Sequence, residues 1–470
     1  MKGAITEGGH FGRPAATTGR NFCRRVFIAV MVTFLSFSHT LRLAGATTNQ
    51  GFSFYDRAGN ITWSNTFPAG VLTIETASVV TGRWSIGKSF FTSNSVGGAS
   101  IATNLSMNGG SNLFVRLVAV DISTNTPRHF TNLVESYGKL ETVAGRGSNM
   151  GDHVSYWQTN FEGGWATNAD LSRPHIAFGD AAGSVFIVDQ GSSAILKVTP
   201  DGRIHTYAGT HTAGNNGDGP APATNLHLRF PNGGWLRADG TFYILDTENG
   251  KVRKVSTNGI MSTIFTTTPM GDGRALWVKS DESLIYFGSG PGVNLNVTTL
   301  NKWTPTGGVA VVRSGFLNMG NILGNETNGD LYITDRDAYR VYRLGTNGTL
   351  TTIAGNGTAT GGGEGFLATQ TGLILPRSIW FIPNGGYFIS EHDPGNRIWY
   401  VDPAGIIHRW MNGSSANNFR VGDGQWFYQN PATAKISRVR SANIAPNGDM
   451  IIMESNYGYV RRIKFGRLNP

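Results

Sequence analysis

An acidic residue recurs at the end of one short apolar run in five places along the sequence. In residues 242–246 the run reads FYILD, and the polar turn TENG then leads into a second run, KVRKV. Carboxylates repeated in this way could bind a cation or the hydroxyl groups of a ligand, or could accept backbone N–H bonds in the turn. The turn role is the commoner one for an acid at a strand end, but both roles are open for each of them. The five candidates are Asp189, Asp246, Asp335, Glu391 and Glu454.

Histidine and carboxylate side chains supply the candidates for a metal site. A catalytic zinc site needs about three such ligands that converge on one point. His392 directly follows Glu391, and His175 begins an apolar run elsewhere, so these three residues are the metal candidates. A calcium site could instead use Glu391, Glu454 and Asn321. Internal hydrogen bonding is the commoner role of such histidines, and nothing in the spacing demands a metal.

Three arginines begin apolar runs that correspond to the run of His175. They are Arg274, Arg377 and Arg440. Together they could make a shared site positive and suit an anionic ligand. Each could equally pair with a neighbouring acid. With His392 and the five repeated acids, these arginines complete the predicted set of binding residues.

Several kinds of chemistry lack the residues they need. The only cysteine, Cys23, precedes the apolar run 26–37, so the rest of the chain has no thiol nucleophile and no disulfide. No Ser-His-Asp order, phosphate-binding loop or basic aromatic stripe stands out. We therefore expect no nucleic-acid partner and no cofactor, unless the metal candidates hold a divalent cation in a central channel.

Residues 1–46 are predicted to be a secretory signal peptide. Five basic residues precede the apolar run, and Ala44-Gly45-Ala46 fits a small-x-small cleavage site. The run is too short to span a bilayer comfortably, so we expect cleavage after Ala46 and no membrane insertion afterwards. Removing the six basic residues and one acidic residue of this segment leaves 33 basic and 29 acidic residues, a net charge of +4.

One unit recurs from residue 139 onward, and its repetition predicts the fold. The repeated acids are 57, 89, 56 and 63 residues apart, and the gap of 89 contains a degenerate unit, 274–313, with Gly288 in place of the acid. Short turns between apolar runs predict four-stranded antiparallel sheets, and such sheets repeated at this spacing stack as a β-propeller. The fold class is therefore all-β, a propeller with six blades.

The two ends of the repeat region predict how the ring closes. The last unit ends at Phe465, after its third run. A lone copy of the fourth run, ETVAG at residues 141–145, stands before the first unit. We therefore predict that this N-terminal strand completes the last blade beside residues 459–465, because the pairing would cover an exposed edge.

The units resemble NHL repeats, in which an aromatic-aliphatic run, an acid, a polar turn and a basic-aliphatic pair follow one another. The resemblance covers residues 140–465, has its best match in DTENGKVRKV at 246–255, and implies a six-bladed propeller. Residues 47–121 resemble a small β-sandwich module that precedes other domains in exported bacterial proteins. A polar linker, 122–138, is expected between this module and the propeller at 139–466.

Long glycine-rich loops join successive units, and one of them reads AGTHTAGNNGDGPAPATNLHLRFP at 208–231. We expect them on the same face as the turns that hold the acids, where loops on a rigid scaffold commonly bind ligands. The prediction is an exported monomer (periplasmic, cell-surface or extracellular) whose loop-rich face binds or scaffolds a protein or glycan partner. The alternative follows from the resemblance, since six-bladed relatives include metal-dependent lactonases and lyases with a site in the central channel.

Overall fold

The computed structural model describes residues 26–32, 51–55, 60–79, 81, 83–102, 113–147, 151–268, 270–271, 274–292, 295–414, 420–429, 435–455 and 457–466. Among these residues, no helix is both long and apolar enough to cross a membrane. The cleavage site predicted at Ala46 lies outside the described residues, and the signal peptide stays a prediction.

The N-terminal part of the chain forms one sheet. Its strands are β1 (Val26–Val32), β2 (Gly51–Tyr55), β3 (Asn60–Ala77), β4 (Ser85–Ala102) and β5 (Leu113–Asp121). The strand order is β1–β5–β3–β2, and β4 also pairs with β3. Over the described residues these strands belong to one hydrogen-bonded sheet, and the sandwich-like arrangement stays a prediction. Strand β1 comes from the predicted signal peptide and pairs antiparallel with β5.

The predicted linker contains a short helix, α1 (His129–Glu135), that the sequence reasoning missed. Its Leu133 and Val134 are buried, together with Ile122, in a hydrophobic cluster that also contains Val71 of β3 and Trp410. The linker therefore packs into a core shared by the N-terminal sheet and the repeat region. The helix is only seven residues long and has no side-chain cap, so tertiary packing must supply its stability.

Six further sheets follow one another along the chain, and we name them A to F. Sheet A consists of β7 (Pro174–Gly179), β8 (Val185–Asp189), β9 (Ala194–Val198) and β10 (Ile204–Gly209). Sheet B consists of β11 (Ala221–Pro222), β12 (Gly233–Leu236), β13 (Phe242–Asp246), β14 (Lys251–Val255) and β15 (Ile260–Thr266). Sheet C consists of β16 (Leu276–Val278), β17 (Ile285–Ser289), β18 (Thr299–Thr304) and β19 (Gly308–Ser314).

Sheets D to F repeat the pattern. Sheet D holds β20 (Met319–Gly324), β21 (Leu331–Asp335), β22 (Arg340–Leu344) and β23 (Leu350–Ala354); sheet E holds β24 (Pro376–Phe381), β25 (Tyr387–Glu391), β26 (Arg397–Val401), β27 (Ile407–Gly413) and β28 (Lys435–Ile436); sheet F holds β29 (Val439–Ile444), β30 (Met450–Glu454), β31 (Tyr459–Phe465) and the early strand β6 (Tyr137–Ala144).

The pairing predicted between the early strand and the end of the chain is confirmed. Strand β6 lies antiparallel to β31, with Ala144 opposite Val460 and Thr142 opposite Arg461. The first strands of the sheets also contact each other in cyclic order: β7 with β12, β12 with β16, β16 with β20, β20 with β24, β24 with β29, and β29 with β7. Middle strands such as β8 are buried along their whole length, as expected where sheets stack on both faces.

The long loops run along the outer strand of the sheet that they enter. Gly163 N–H donates to Ile204 O (2.8 Å) in sheet A, and Gly365 N–H donates to Ile407 O (2.9 Å) in sheet E. In sheet B the loop forms β11 itself, and in sheet F Gly424 N–H donates to Leu140 O on β6 at 2.8 Å. The loops therefore satisfy edge groups that would otherwise be open to pairing with other chains. Sheets C and D are entered by shorter loops, and β19 is exposed along its length.

Short 3-10 turns mark these loops. They span Thr159–Phe161 and Ala166–Asn168 before sheet A, Ala223–Asn225 before β12, Ala368–Gln370 before sheet E and Phe427–Gln429 before sheet F. A further turn, Thr247–Asn249, directly follows Asp246.

Candidate functional site

The five repeated acids share one structural role. Each accepts a hydrogen bond from the backbone N–H of the residue 17 positions earlier, in the loop that enters its sheet. The pairs are Ser172–Asp189 at 2.6 Å, Arg229–Asp246 at 2.8 Å, Asn318–Asp335 at 2.8 Å, Ile374–Glu391 at 2.8 Å and Ser437–Glu454 at 2.9 Å. All five carboxylates are buried and aimed at these internal donors. Their recurrence is therefore explained by loop anchoring, the turn-type role expected for a strand-end acid.

Three of the five acids also bind an arginine from the third strand of the same sheet. Asp246 is 2.9 Å from Arg253 Nε, Glu391 is 2.6 Å from Arg397 Nε, and Glu454 is 3.0 Å from Arg461 Nη1. Burial raises the pKa of all three carboxyls, and the arginines oppose that shift. Arg397 belongs to the basic-aliphatic pair that follows the polar turn of its repeat, whereas Arg253 and Arg461 each stand seven residues after their acid.

Gly288, which replaces the acid in sheet C, is explained by packing. A Cβ at this position would lie 2.5 Å from Val297 Cγ1 and 2.9 Å from Ala275 Cβ. The space that an anchoring carboxylate would need is therefore filled by apolar side chains, so this departure from the repeat gives no sign of a ligand site.

A second set of residues, which we call the channel ring, has one member at or near the start of the first strand of each sheet. In sheets A, B, D, E and F it stands three residues after the N–H donor to the acid, and Arg274 takes the corresponding place before β16. Because the first strands contact each other in cyclic order, the six residues surround one axis. They are His175, Asn232, Arg274, Asn321, Arg377 and Arg440, and none exposes more than 6% of its surface.

The backbone that leads into the channel ring is held in an uncommon conformation. In four sheets the residue two positions before the ring residue is not glycine and has a positive φ; these residues are Arg173 (55°), Phe230 (46°), Leu375 (51°) and Arg438 (46°). Such conformations are costly and persist where surrounding contacts enforce them, often at functional sites. In each case the preceding residue donates its backbone N–H to the repeated acid, and this hydrogen bond supplies that enforcement.

His175 is a neutral imidazole with a free donor. Its Nε2 lies 2.8 Å from Arg440 Nη1, and because a guanidinium only donates, Nε2 must accept and Nδ1 must carry the proton. Burial lowers the pKa of His175 well below its usual value, and the nearby Arg440 and Arg274 lower it further. The buried Nδ1 has no hydrogen-bond partner in the described part of the chain. A bound ligand could accept from it.

His392 faces the same positive field. Burial lowers its pKa, followed by the effects of Arg377, Arg440 and Arg274. Its Nε2 is likewise buried and lacks a partner within the residues described. The backbone N–H of His392 donates to Leu375 O at 3.2 Å, two residues before Arg377 of the channel ring. We call His175, His392, Arg274, Arg377 and Arg440 the channel site.

Positively charged side chains predominate in the channel site. Three buried guanidiniums oppose the binding of a cation, because like charges in a poorly solvated site repel strongly. The metal candidate Glu391 is turned to Arg397 and to the Ile374 N–H. Within the described residues, a single trio of His, Asp or Glu side chains brings its ligand atoms within 4.8 Å of one another, and it consists of His129, Asp402 and His408. The trio of His175, His392 and Glu391 does not meet this distance.

No family model and no curated protein sequence matches the chain. Solved structures do resemble it in fold. A Bacteroides thetaiotaomicron protein of unknown function has a TM-score of 0.51 at 12% identity, covering 86% of this chain and 93% of its own. An auxiliary nutrient binding protein from the same organism has a TM-score of 0.50 at 11% identity, covering 87% and 94%.

A Staphylococcus aureus virginiamycin B lyase is also similar, with a TM-score of 0.39 at 15% identity, over 69% of this chain and 85% of that one. At these identities the likeness concerns the fold alone. The two Bacteroides thetaiotaomicron structures, with TM-scores of 0.51 and 0.50, support a propeller-like architecture, which agrees with the all-β sheets described above.

Proposed function

We propose that this chain is an exported, monomeric, six-bladed propeller of the NHL type, and that it binds an anionic ligand at the channel site. Support for six blades comes from the cyclic contacts of the first strands of sheets A to F and from the closing pair β6–β31. Support for the NHL type comes from the repeated acid and arginine pairs. Support for export comes from the signal-peptide pattern of residues 1–46.

The observation that carries the binding proposal is the placement of the buried Arg274, Arg377 and Arg440 on one ring of first strands with His175, whose Nε2 lies 2.8 Å from Arg440 Nη1. Guanidiniums bind carboxylates with two parallel hydrogen bonds, while a neutral imidazole N–H and the amides of Asn232 and Asn321 suit hydroxyl groups. A sugar that bears a carboxylate offers both kinds of group. An acidic glycan is therefore the proposed ligand, and a protein carboxylate is the second choice.

The long loops extend the site. The last residues of each loop donate to the repeated acid, and the channel-ring residue follows the donor by three positions. A partner bound to the loop-rich face would therefore also reach the channel site. A binding role agrees with the description of one fold neighbour as a nutrient binding protein, although that likeness concerns the fold alone.

The binding test uses oligogalacturonate as the probe and a neutral oligosaccharide of equal length as its control. We expect saturable binding of the acidic probe by calorimetry. Arg377→Ala should weaken binding by about 10- to 100-fold, because a charge-assisted hydrogen bond contributes about 1.5–3 kcal/mol. Arg343→Ala is the matched control, since Arg343 is a half-exposed arginine on β22, distant from the ring in its sheet. Equal affinity of the Arg377 and Arg343 variants would contradict the proposal.

The metal-dependent alternative has its own test. It requires a divalent cation on His175, His392 or Glu391, against the field of the channel arginines. Elemental analysis of the protein, compared with His175→Ala and His392→Ala, decides the matter. A stoichiometric metal that is lost in either variant would favour a lactonase- or lyase-like enzyme.

A further inference from the structure

A trio of side chains suited to a metal lies at the outer rim of sheet E, apart from the channel site. His129 is on α1, Asp402 is in the turn between β26 and β27, and His408 is on β27. His129 Nε2 is 3.0 Å and His408 Nε2 is 3.1 Å from the same oxygen, Asp402 Oδ2. Two imidazole nitrogens and a carboxylate oxygen thus converge on one point.

The second nitrogen of each imidazole is already committed to an acceptor. His129 Nδ1 lies 3.1 Å from the carbonyl oxygen of Thr126, and His408 Nδ1 lies 3.3 Å from Glu364 Oε1. Both Nδ1 atoms therefore donate, and both Nε2 atoms turn towards Asp402. Metal-binding histidines characteristically donate their other N–H to a carbonyl or carboxylate, which sets the tautomer and orients the ring.

Packing holds these rings in place. Phe130 stacks on His408 with centroids 4.6 Å apart and planes 17° apart, and the rings of His129 and His408 meet edge to face at 5.5 Å. The side chain of Asp402 is 3% exposed, while those of His129 and His408 are 16% and 14% exposed. The ligand set is therefore ordered by its surroundings, yet still reachable from solvent.

We propose that His129, His408 and Asp402 bind a zinc ion that fastens α1 to sheet E. Zinc favours imidazole nitrogen and carboxylate oxygen at about 2.0–2.2 Å in tetrahedral geometry, which places ligand atoms about 3.3 Å apart. The observed separations of 3.0 and 3.1 Å need little adjustment to reach that value. Three protein ligands leave the fourth position to water.

The proposed zinc site joins two parts of the chain that are 273 residues apart, since His129 belongs to the segment between the N-terminal sheet and the repeats. Its competitor is a metal-free arrangement in which protonated His408 pairs with Asp402. Burial lowers the pKa of His408, but the hydrogen bonds with Asp402 and Glu364 outweigh it and raise the pKa to about 9. The zinc site and the metal-free arrangement use the same geometry, so a binding measurement must separate them.

The experiment titrates the metal-free full-length chain with zinc chloride by calorimetry and follows thermal unfolding. We expect one zinc per chain at micromolar affinity or tighter, and a rise in Tm on saturation, because a ligand of the folded state stabilises it. His408→Ala and His129→Gln should each weaken zinc binding by at least tenfold. Bound cobalt should give the visible absorption of a tetrahedral site in the unaltered protein, which keeps the test independent of any variant.

His205→Ala is the matched control. His205 lies on β10, the equivalent outer strand of sheet A, and its Nδ1 is 3.1 Å from Glu162 Oε1, as His408 Nδ1 is near Glu364. It belongs to no trio of ligands within the described residues. Zinc binding should survive this change. Absence of saturable zinc binding in the unaltered protein, or equal binding by the His408 and His205 variants, would overturn the proposal.

Discussion

Replacing Arg461 with methionine should lower the free energy of unfolding by about 3–5 kcal/mol, the usual cost of leaving one member of a buried ion pair unpaired. Arg461 is fully buried on β31 and binds Glu454 Oε1 at 3.0 Å, Asp423 Oδ1 at 2.6 Å and Val421 O at 3.0 Å. Asp423 in turn accepts from Thr142 Oγ1 on the closing strand at 2.6 Å. The change would therefore weaken the loop that enters sheet F and the closure of that sheet together.

Urea unfolding measures this loss, and Arg343→Met supplies the control. Arg343 also pairs with an acid, Asp330 at 2.6 Å, but its side chain is half exposed. Asp330 is buried but Arg343 itself is solvated, so the control should lose clearly less stability than Arg461→Met. The double variant Glu454→Gln with Arg461→Met should recover part of the loss, because it removes the buried Glu454 charge that Arg461→Met leaves without its arginine. Similar losses for Arg461→Met and Arg343→Met would refute the anchoring role.

Stability should also fall as the pH rises from about 4 to about 7, because of Asp189. Burial raises the pKa of Asp189 to about 7, although Ser192 Oγ and the Ser172 N–H both donate to it. At the place where sheets B and F carry Arg253 and Arg461, sheet A has Leu196, and no cation pairs with Asp189 in the described part of the chain. Its carboxylate is thus anchored without a compensating charge.

The sign follows from proton linkage. A folded-state pKa above the unfolded value means that the folded protein binds the proton more tightly, so stability is greatest below pH 4 for this group and is lost as the pH passes through 7. A folded-state pKa of about 7, against an unfolded value near 4, corresponds to about 4 kcal/mol. Asp189→Asn imitates the protonated form, so it should remove this loss of stability. Its stability relative to the unaltered protein should therefore increase between pH 4 and pH 8.

Asp246→Asn provides the contrast to Asp189→Asn. In that variant Arg253, which is fully buried, loses its charged partner. It should therefore be less stable than the unaltered protein at pH 8, the opposite of Asp189→Asn. Thermal unfolding of both variants across this pH range distinguishes the two expectations, and the same response from both would contradict them.

Much of the strand arrangement could be predicted from the sequence, because each repeat has the same order of apolar runs and polar turns. The run predicted at residues 251–255 is β14, and the degenerate unit at 274–313 contains all four strands of sheet C. The early strand was also recognisable, since the last unit visibly lacked its fourth run. Helix α1 was missed because it is short, uncapped and stabilised by burial against residues far along the chain.

The candidate site could be predicted only as a set of residue types. The sequence identified His175, His392 and the three arginines, and it indicated that the repeated acids are turn acids. What each acid holds, a backbone N–H 17 residues earlier, required the folded loops. His408 could be placed on an outer strand, yet nothing local pointed to His129 or Asp402 as its neighbours.

The sequence by itself determined the repeated strand unit, the closing strand and the all-β class, because turns, alternating burial and repeat spacing are short-range properties of the chain. Only the tertiary structure decided which side chains meet. Around the axis, six first strands each contribute one residue, and three of these residues are buried arginines. At the rim, a helix from before the repeats lies on sheet E and brings His129 to Asp402 and His408. Such convergence depends on the packing of distant segments, which no local pattern encodes.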